Sequence, residues 1–346
     1  MESNPFIVSW WPLALADPAL FHVSIQTASL DEELRSQKGF PVSELLMMDS
    51  VSLVRQKVEN SVLAYQDDTL NAVVTLAAIE HGKGNVHAST AHIEGVKRMV
   101  GVRGGINQVR LTSPLTARMI AWVSMLVTRV PQFPTQDDFG LGDGVGPIFQ
   151  WLLVPTDLDP EDEAVFALDI DTALADILIR LRRLFHTPED SSLSTTDLHD
   201  LTCFVVHRLL LLGPPLSENL THSATSESLR HALALYMLII HGTTYYSHAD
   251  LANSIILQLR SHLTVSTRAG SIHSPLEIWI LSVGLVSTPI AADRQWFADK
   301  AATAAKALNL HTWEDVLACL EAVLWLETQR GGMFRQQWAE IFTAMT

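Results

Sequence analysis

Cysteine is nearly absent: Cys203 and Cys319 are the only two in 346 residues. That excludes a disulfide scaffold and any cysteine-rich zinc module, and we expect two buried, reduced thiols. Charge is sparse and one-sided. Charged residues make up 18% of the chain, with 23 Lys and Arg against 38 Asp and Glu, for a formal net charge of −15. A surface of that sign repels phosphate, so no direct nucleic-acid binding is expected. Long apolar runs are missing as well. No stretch reaches the ~18 residues of a membrane span, and the longest candidate, Ala232 to Ile240, is soon followed by Gly242. The first basic residue is Arg35, and Pro12 and Pro18 cut the early apolar run. We therefore expect no signal peptide, no membrane partner, and an intracellular location in nucleus or cytoplasm.

What the chain has in quantity is apolar surface at helical spacing. Hydrophobic residues are 48% of the total, ample for a buried core. Asp67 or Asp68 caps a helix that runs through Leu70, Val73, Val74, Ala77 and Ala78 to Gly82, and Asn85 caps the next, which ends at Gly101. Ser113-Pro114 and Ser274-Pro275 open two more, because a proline's missing N–H is harmless in the first turn. Thr312 with Asp315 resembles a capping box. Further helices fit 161–185, 196–212, 226–241, 248–263 and 292–308, and alternating period-two runs are nearly absent. The expected fold is all-α: a single large helical domain of about ten to twelve helices.

Residues 131–160 break the pattern with Pro131, Pro134, Gly140, Gly142, Gly144, Gly146, Pro147, Pro155 and Pro160. They read as a long acidic surface connection between an N-terminal half, 1–130, and a C-terminal half, 161–346, packed on the first. Residues 131–200 carry 15 acidic and three basic side chains, so twelve of the fifteen excess negative charges lie there. This stretch should be a solvated face away from any pocket.

Chemical motifs are scarce. The alternating glycines never give G-x-G-x-x-G, and the phosphate loop G-x-x-x-x-G-K-[ST] is absent. Asp157, Asp159 and Glu161 begin like a calcium loop, but Asp162 and Leu168 occupy its glycine and glutamate positions. Neither Asp67-Asp68 nor Asp137-Asp138 has a third carboxylate at helical spacing, so no magnesium site is expected. No metal and no cofactor are expected. His241 and His248 flank Tyr245 and Tyr246 in a polar corner between two helices, which is either a solvent-facing turn or a constellation for ligand binding or proton transfer. Trp122 and Trp279, within apolar helices, are core residues or walls of a ligand pocket.

Three blocks carry a family resemblance. Trp11-Pro12 precedes Asp17-Pro18-Ala19-Leu20-Phe21-His22. Leu76-Ala77-Ala78-Ile79-Glu80 and Gly84 precede Ala91-His92-Ile93-Glu94-Gly95-Val96, Met99-Val100 and Arg103-Gly104-Gly105. The third runs from Pro275 through Trp279, Arg294-Gln295-Trp296-Phe297, Thr312-Trp313-Glu314-Asp315 and Leu324-Trp325 to Trp338. Together they make the chain resemble the fungal-specific transcription factor domain, the helical regulatory region that usually follows a zinc binuclear-cluster DNA-binding domain. In the second block Glu80, His92 and Arg103 are placed to form a buried polar network, with Gly104 and Gly105 permitting a sharp exit and Gly95 a close helix approach. The six cysteines of the zinc cluster are missing, and Trp122 is followed by Val123 and Ser124 where relatives often carry an acidic residue.

The resemblance implies a regulatory domain without its DNA-reading module. Such a module would sense a small hydrophobic metabolite or contact a transcription-factor partner. The alternative is a repurposed metal-free enzyme of secondary metabolism that performs a cyclisation or isomerisation in a helical cavity.

Overall fold

The computed structural model describes residues 5–155, 170–186, 193–213, 220–242, 246–268 and 273–345. The described residues are all-α, with sixteen helices and one isolated bridge, Thr135 to Val145. Their order is α1 (Pro5–Ala16), α2 (Pro18–Ser36), α3 (Pro41–Glu59), α4 (Asp67–Gly82), α5 (Val86–Val102), α6 (Ile106–Thr112), α7 (Pro114–Thr128) and α8 (Phe149–Leu152). Then follow α9 (Thr172–Phe185), α10 (Thr195–Leu211), α11 (Leu220–His241), α12 (Ala249–Arg268), α13 (Pro275–Ser287), α14 (Ala291–Ala307), α15 (Trp313–Val323) and α16 (Gly331–Met345). No helix among the described residues is long and apolar enough to cross a membrane.

The helix count exceeds the expected ten to twelve, and proline accounts for two of the additional helices, α2 and α3. Pro18 and Pro41, like Pro114 and Pro275, stand in a first helical turn and start helices instead of breaking them. Pro12 lies inside α1 and does not end it. Three of the expected caps form: Asn85 accepts the Ala88 amide, Ser274 the Glu277 amide, and Thr312 and Asp315 make a reciprocal capping box. Neither Asp67 nor Asp68 caps α4; Gln66 holds that position without a side-chain bond, and the two aspartates stand in the first turn, where their charge suits the helix dipole. Ser113 instead pairs its hydroxyl with Thr116 at 2.8 Å. Gly104 and Gly105 have φ of +91° and +98°, the left-handed backbone needed to leave α5 and enter α6. Gly95 has open space around it, so no close helix approach depends on it.

Contacts divide the chain into two compact units. The first holds Met1–Pro147, Thr195–His207 and Thr243–His248; the second holds Ile148–Ser194, Arg208–Gly242 and Ala249–Thr346. The segment Thr195–His207, expected with the C-terminal half, belongs to the first unit.

In the first unit α4 is the central element. Every residue from Thr69 to Glu80 is buried, and α2, α3, α5 and α7 pack around it. An interior helix needs small and branched apolar residues and partners for every polar one. Ala72, Ala77 and Ala78 supply the first requirement. For the second, Asn71 donates to Thr116 Oγ1 at 3.0 Å, Thr75 to the Asn71 carbonyl at 2.7 Å, and Ser89 of α5 to the Ala77 carbonyl at 2.7 Å. The second unit repeats the plan with α13, buried from Ile278 to Leu285 and contacted by α11, α12, α14, α15 and α16. There Trp279 donates to the Leu324 carbonyl at 2.7 Å and Trp338 to Ser282 Oγ at 3.0 Å.

Charges in the first unit tie helix ends together. Buried Lys57, in the last turn of α3, bonds Asp17, the N-cap of α2, at 2.5 Å and also Asp68 in the first turn of α4. Each charge thus complements a helix dipole. Burial raises the Asp17 carboxyl, but the bonds from Lys57 and the Leu20 amide outweigh it and hold the group below its ordinary range. Glu33 of α2 reaches the start of α3, where Phe40 provides no side-chain cap. Its carboxylate accepts the Val42 amide at 2.6 Å and the Ser43 hydroxyl at 2.5 Å. Burial again pushes this carboxyl up, and the Ser43 and Val42 bonds bring it below the usual value.

A carboxyl lowered on folding adds stability that is complete above its unfolded pKa, ~4.3 for Glu. That stability is lost as pH falls through the lower folded value. We expect Glu33→Gln to cost about 1 kcal/mol at pH 7. It should also flatten the acid limb of a pH series of thermal denaturations between pH 6 and pH 3, relative to wild type.

Candidate functional site

The first unit contains a cleft of about 400 Å³. Its floor is apolar, from Ile106, Pro114, Ala117 and Ala121 on α6 and α7. Its polar groups are Arg110, Arg118, His199, Asp200 and Cys203. The opposite wall is Gly144, Val145, Gly146 and Pro147.

That wall corrects the expectation for the Gly/Pro-rich segment. It is not simply a solvated surface connection away from any pocket: Phe133, Gln136, Gly144, Gly146 and Pro147 are buried. The backbone doubles back, with the Gln136 amide bonded to the Val145 carbonyl at 3.0 Å and the Val145 amide to the Pro134 carbonyl at 2.9 Å. Two of the alternating glycines exist for close approach. A Cβ on Gly144 would lie 2.4 Å from the Pro134 carbonyl oxygen, and one on Gly146 would lie 2.4 Å from Gln136 Oε1 and 2.9 Å from the Arg110 guanidinium. The calcium-like Asp157, Asp159 and Glu161 lie outside the described residues, as does 161–169 of the expected 161–185 helix.

Electrostatics in the cleft are set by two arginines with different partners. Arg118 grips Asp200 with a two-pronged fork, Nε to Oδ1 at 2.7 Å and Nη2 to Oδ2 at 2.8 Å. The Asp200 bond holds the guanidinium even more firmly in its charged form. Arg110 donates Nε and Nη2 to Asn107 Oδ1 at 3.3 and 3.2 Å, a neutral partner. Cys203 is buried, and burial pushes its thiol up, which disfavours the thiolate form. His207, one turn on, bonds the Cys203 carbonyl through Nδ1 at 2.7 Å, and burial brings it down to about 4. His199 meets Trp122 edge to face, ring centres 5.1 Å apart.

The sequence candidates are placed as follows. Trp122 is buried behind His199, so it supports the cleft wall through that ring. Glu80 is buried, accepting from Asn85 at 2.6 Å and pairing with Lys83 at 3.4 Å. Burial lowers the pKa of His92, and the Glu80 charge offsets this only in part. Arg103 does not join them: it pairs with Asp67 and donates to Thr112 at 2.8 Å, so the three-residue network is split. Trp279 is wholly buried beside Tyr236, whose hydroxyl accepts the Leu326 amide at 2.8 Å, which makes it core and not pocket wall. His241 ends α11 in the second unit, Tyr246 packs on the core of the first, and Tyr245 lies outside the described residues.

Sequence reading missed a second constellation, in the second unit. Glu227 and His231 on α11, with His262 on α12, bring three metal-competent donor atoms within 4.8 Å of one another. Burial lowers the pKa of both His231 and His262. The signal was present as Glu-x-x-x-His on one helix and Gln258-x-x-x-His262 on the next, but spacing alone does not reveal that two helices face each other. It missed the cleft's Arg110, Arg118 and Asp200 for the same reason: Arg118 and Asp200 are 82 positions apart. Comparison of the chain with protein-family models, curated proteins and solved structures gave no match.

The Arg118–Asp200 fork is half-buried, so removing one partner leaves a poorly solvated charge. We expect Asp200→Asn to lower stability by about 1–3 kcal/mol. A double-mutant cycle in urea with Arg118→Met should show positive coupling, the double variant losing less than the two single losses combined.

Proposed function

We propose that the first unit is a receptor for a small, largely apolar acid, and that the chain works as a regulatory module of the kind the fungal-specific transcription factor domain supplies. The observation that carries this reading is Arg110. Among the described residues it is bonded to a neutral amide and to no carboxylate, at the edge of an apolar cleft whose other arginine is already neutralised by Asp200. A guanidinium beside apolar walls, with its charge uncompensated, favours a ligand that combines a carboxylate with a hydrocarbon body.

Binding is favoured over conversion by the same side chains. Asp200 is committed to Arg118, and Cys203 is held as a neutral thiol, which leaves the repurposed-enzyme reading without a carboxylate base or a thiolate in the cleft. A net charge of −15 supports signalling through a protein partner, a transcription factor in this reading, without direct contact to nucleic acid.

Thermal-shift titration tests it with apolar carboxylic acids matched against their primary amides. Acids should raise Tm at concentrations where the amides do not, and Arg110→Gln should weaken acid binding about tenfold, ~1.4 kcal/mol. Ala117→Leu, which fills the floor, should abolish binding of both series. Equal response to acids and amides, or an Arg110→Gln variant that binds acids as wild type does, contradicts the proposal.

A further inference from the structure

The neighbouring helices α11 and α12 bring together four polar side chains, two imidazoles, a carboxylate and an amide. His231 Nε2 lies 2.8 Å from Gln258 Oε1, and Glu227 Oε2 lies 3.7 Å from His262 Nε2. The pairs 231 with 258 and 227 with 262 have the same residue sum, the signature of antiparallel helices in register. On each helix the two residues are four apart and share a face. The His231 and His262 rings stack, centres 5.4 Å apart and planes within 17°.

We infer that Glu227, His231 and His262 form a binding site for one divalent transition-metal ion of the zinc class, with the Arg230 guanidinium as the internal cation that the metal displaces. Two imidazoles and a carboxylate suit zinc and its neighbours, not calcium or magnesium, which take oxygen donors. Donors of a tetrahedral zinc with bonds of ~2.0–2.2 Å lie about 3.4 Å apart. The observed spread, within 4.8 Å, closes by small side-chain rotations.

Three details point to a cation. First, His231 is already oriented as a ligand: its Nδ1 donates to the Glu227 carbonyl at 2.6 Å, which leaves the Nε2 lone pair facing the cluster. Second, that lone pair faces Gln258 Oε1, another acceptor. Two acceptors at hydrogen-bond distance are satisfied by turning the amide or by a positive ion shared between them. Third, a positive group already sits there. Arg230 Nη2 is 2.5 Å from Glu227 Oε2 and 3.4 Å from His231 Nε2, the same atoms a metal would take. His262 is one-third exposed, which gives an ion its way in.

Because Arg230 competes for the same atoms, removing its charge should strengthen metal binding. Tag-free, chelator-treated full-length protein is titrated with zinc by calorimetry, and with cobalt by visible absorption. Wild type should bind one equivalent, and the cobalt form should show the strong absorption of tetrahedral geometry. His262→Gln, at a part-exposed position that tolerates change, should lose at least tenfold in affinity. Arg230→Gln should gain about tenfold, equivalent to ~1.4 kcal/mol. Thermal melts of the metal-free variants confirm that each is folded. Absence of stoichiometric binding in both wild type and Arg230→Gln overturns the site, as does unchanged affinity in His262→Gln. Weaker binding in Arg230→Gln overturns the displacement.

Discussion

Each unit depends on one helix with no face left for water. In α4, residues Thr69 to Glu80 are buried without interruption, and α13 repeats this from Ile278 to Leu285. Such a helix cannot be amphipathic. Its neighbours must supply both the apolar contact and the hydrogen bonds that solvent gives an ordinary surface helix. That requirement explains why Asn71, Thr75, Ser282 and Trp279 are polar atoms in otherwise apolar surroundings, each tied to a named partner.

The ends of these helices are handled by charge. Lys57 between Asp17 and Asp68 joins the start of α2, the end of α3 and the start of α4, and Arg103 beyond α5 binds Asp67 in the same first turn of α4. The cleft then forms on the side of α7, whose Thr116 also receives the Asn71 bond from α4. One helix therefore carries both the contact with the central element and, through Ala117, Arg118 and Ala121, the cleft floor and one of its charges.

Much of the fold is legible in the sequence, for local reasons. Helical spacing and capping chemistry act within a few residues, so α5, α7, α13 and α15 are readable from Asn85, Pro114, Pro275 and Thr312, and α4 from its apolar spacing up to Gly82. Helices α1 to α3 are hidden because Pro12 and Pro18 look like breaks until the first-turn position of Pro18 is known. The site is far less legible. Asp200 finds Arg118, and His262 finds Glu227, only through tertiary packing. The network expected from Glu80, His92 and Arg103 fails for a related reason: Asp67, at the N-terminus of α4, attracts the guanidinium that sequence order assigned to Glu80. The glycines at 144 and 146 look like linker until the chain is seen folded against Pro134 and Arg110.

Amide hydrogen exchange followed by mass spectrometry tests the account at its root. If each unit is built on one enclosed helix, peptides covering Thr69–Glu80 and Ile278–Leu285 should exchange slowest within their own units, each as a cooperative block requiring global opening of that unit. The flanking helices α3 and α12, which keep exposed faces, should exchange faster. Exchange of Thr69–Glu80 at the rate of α3, or fraying residue by residue, would contradict the central claim.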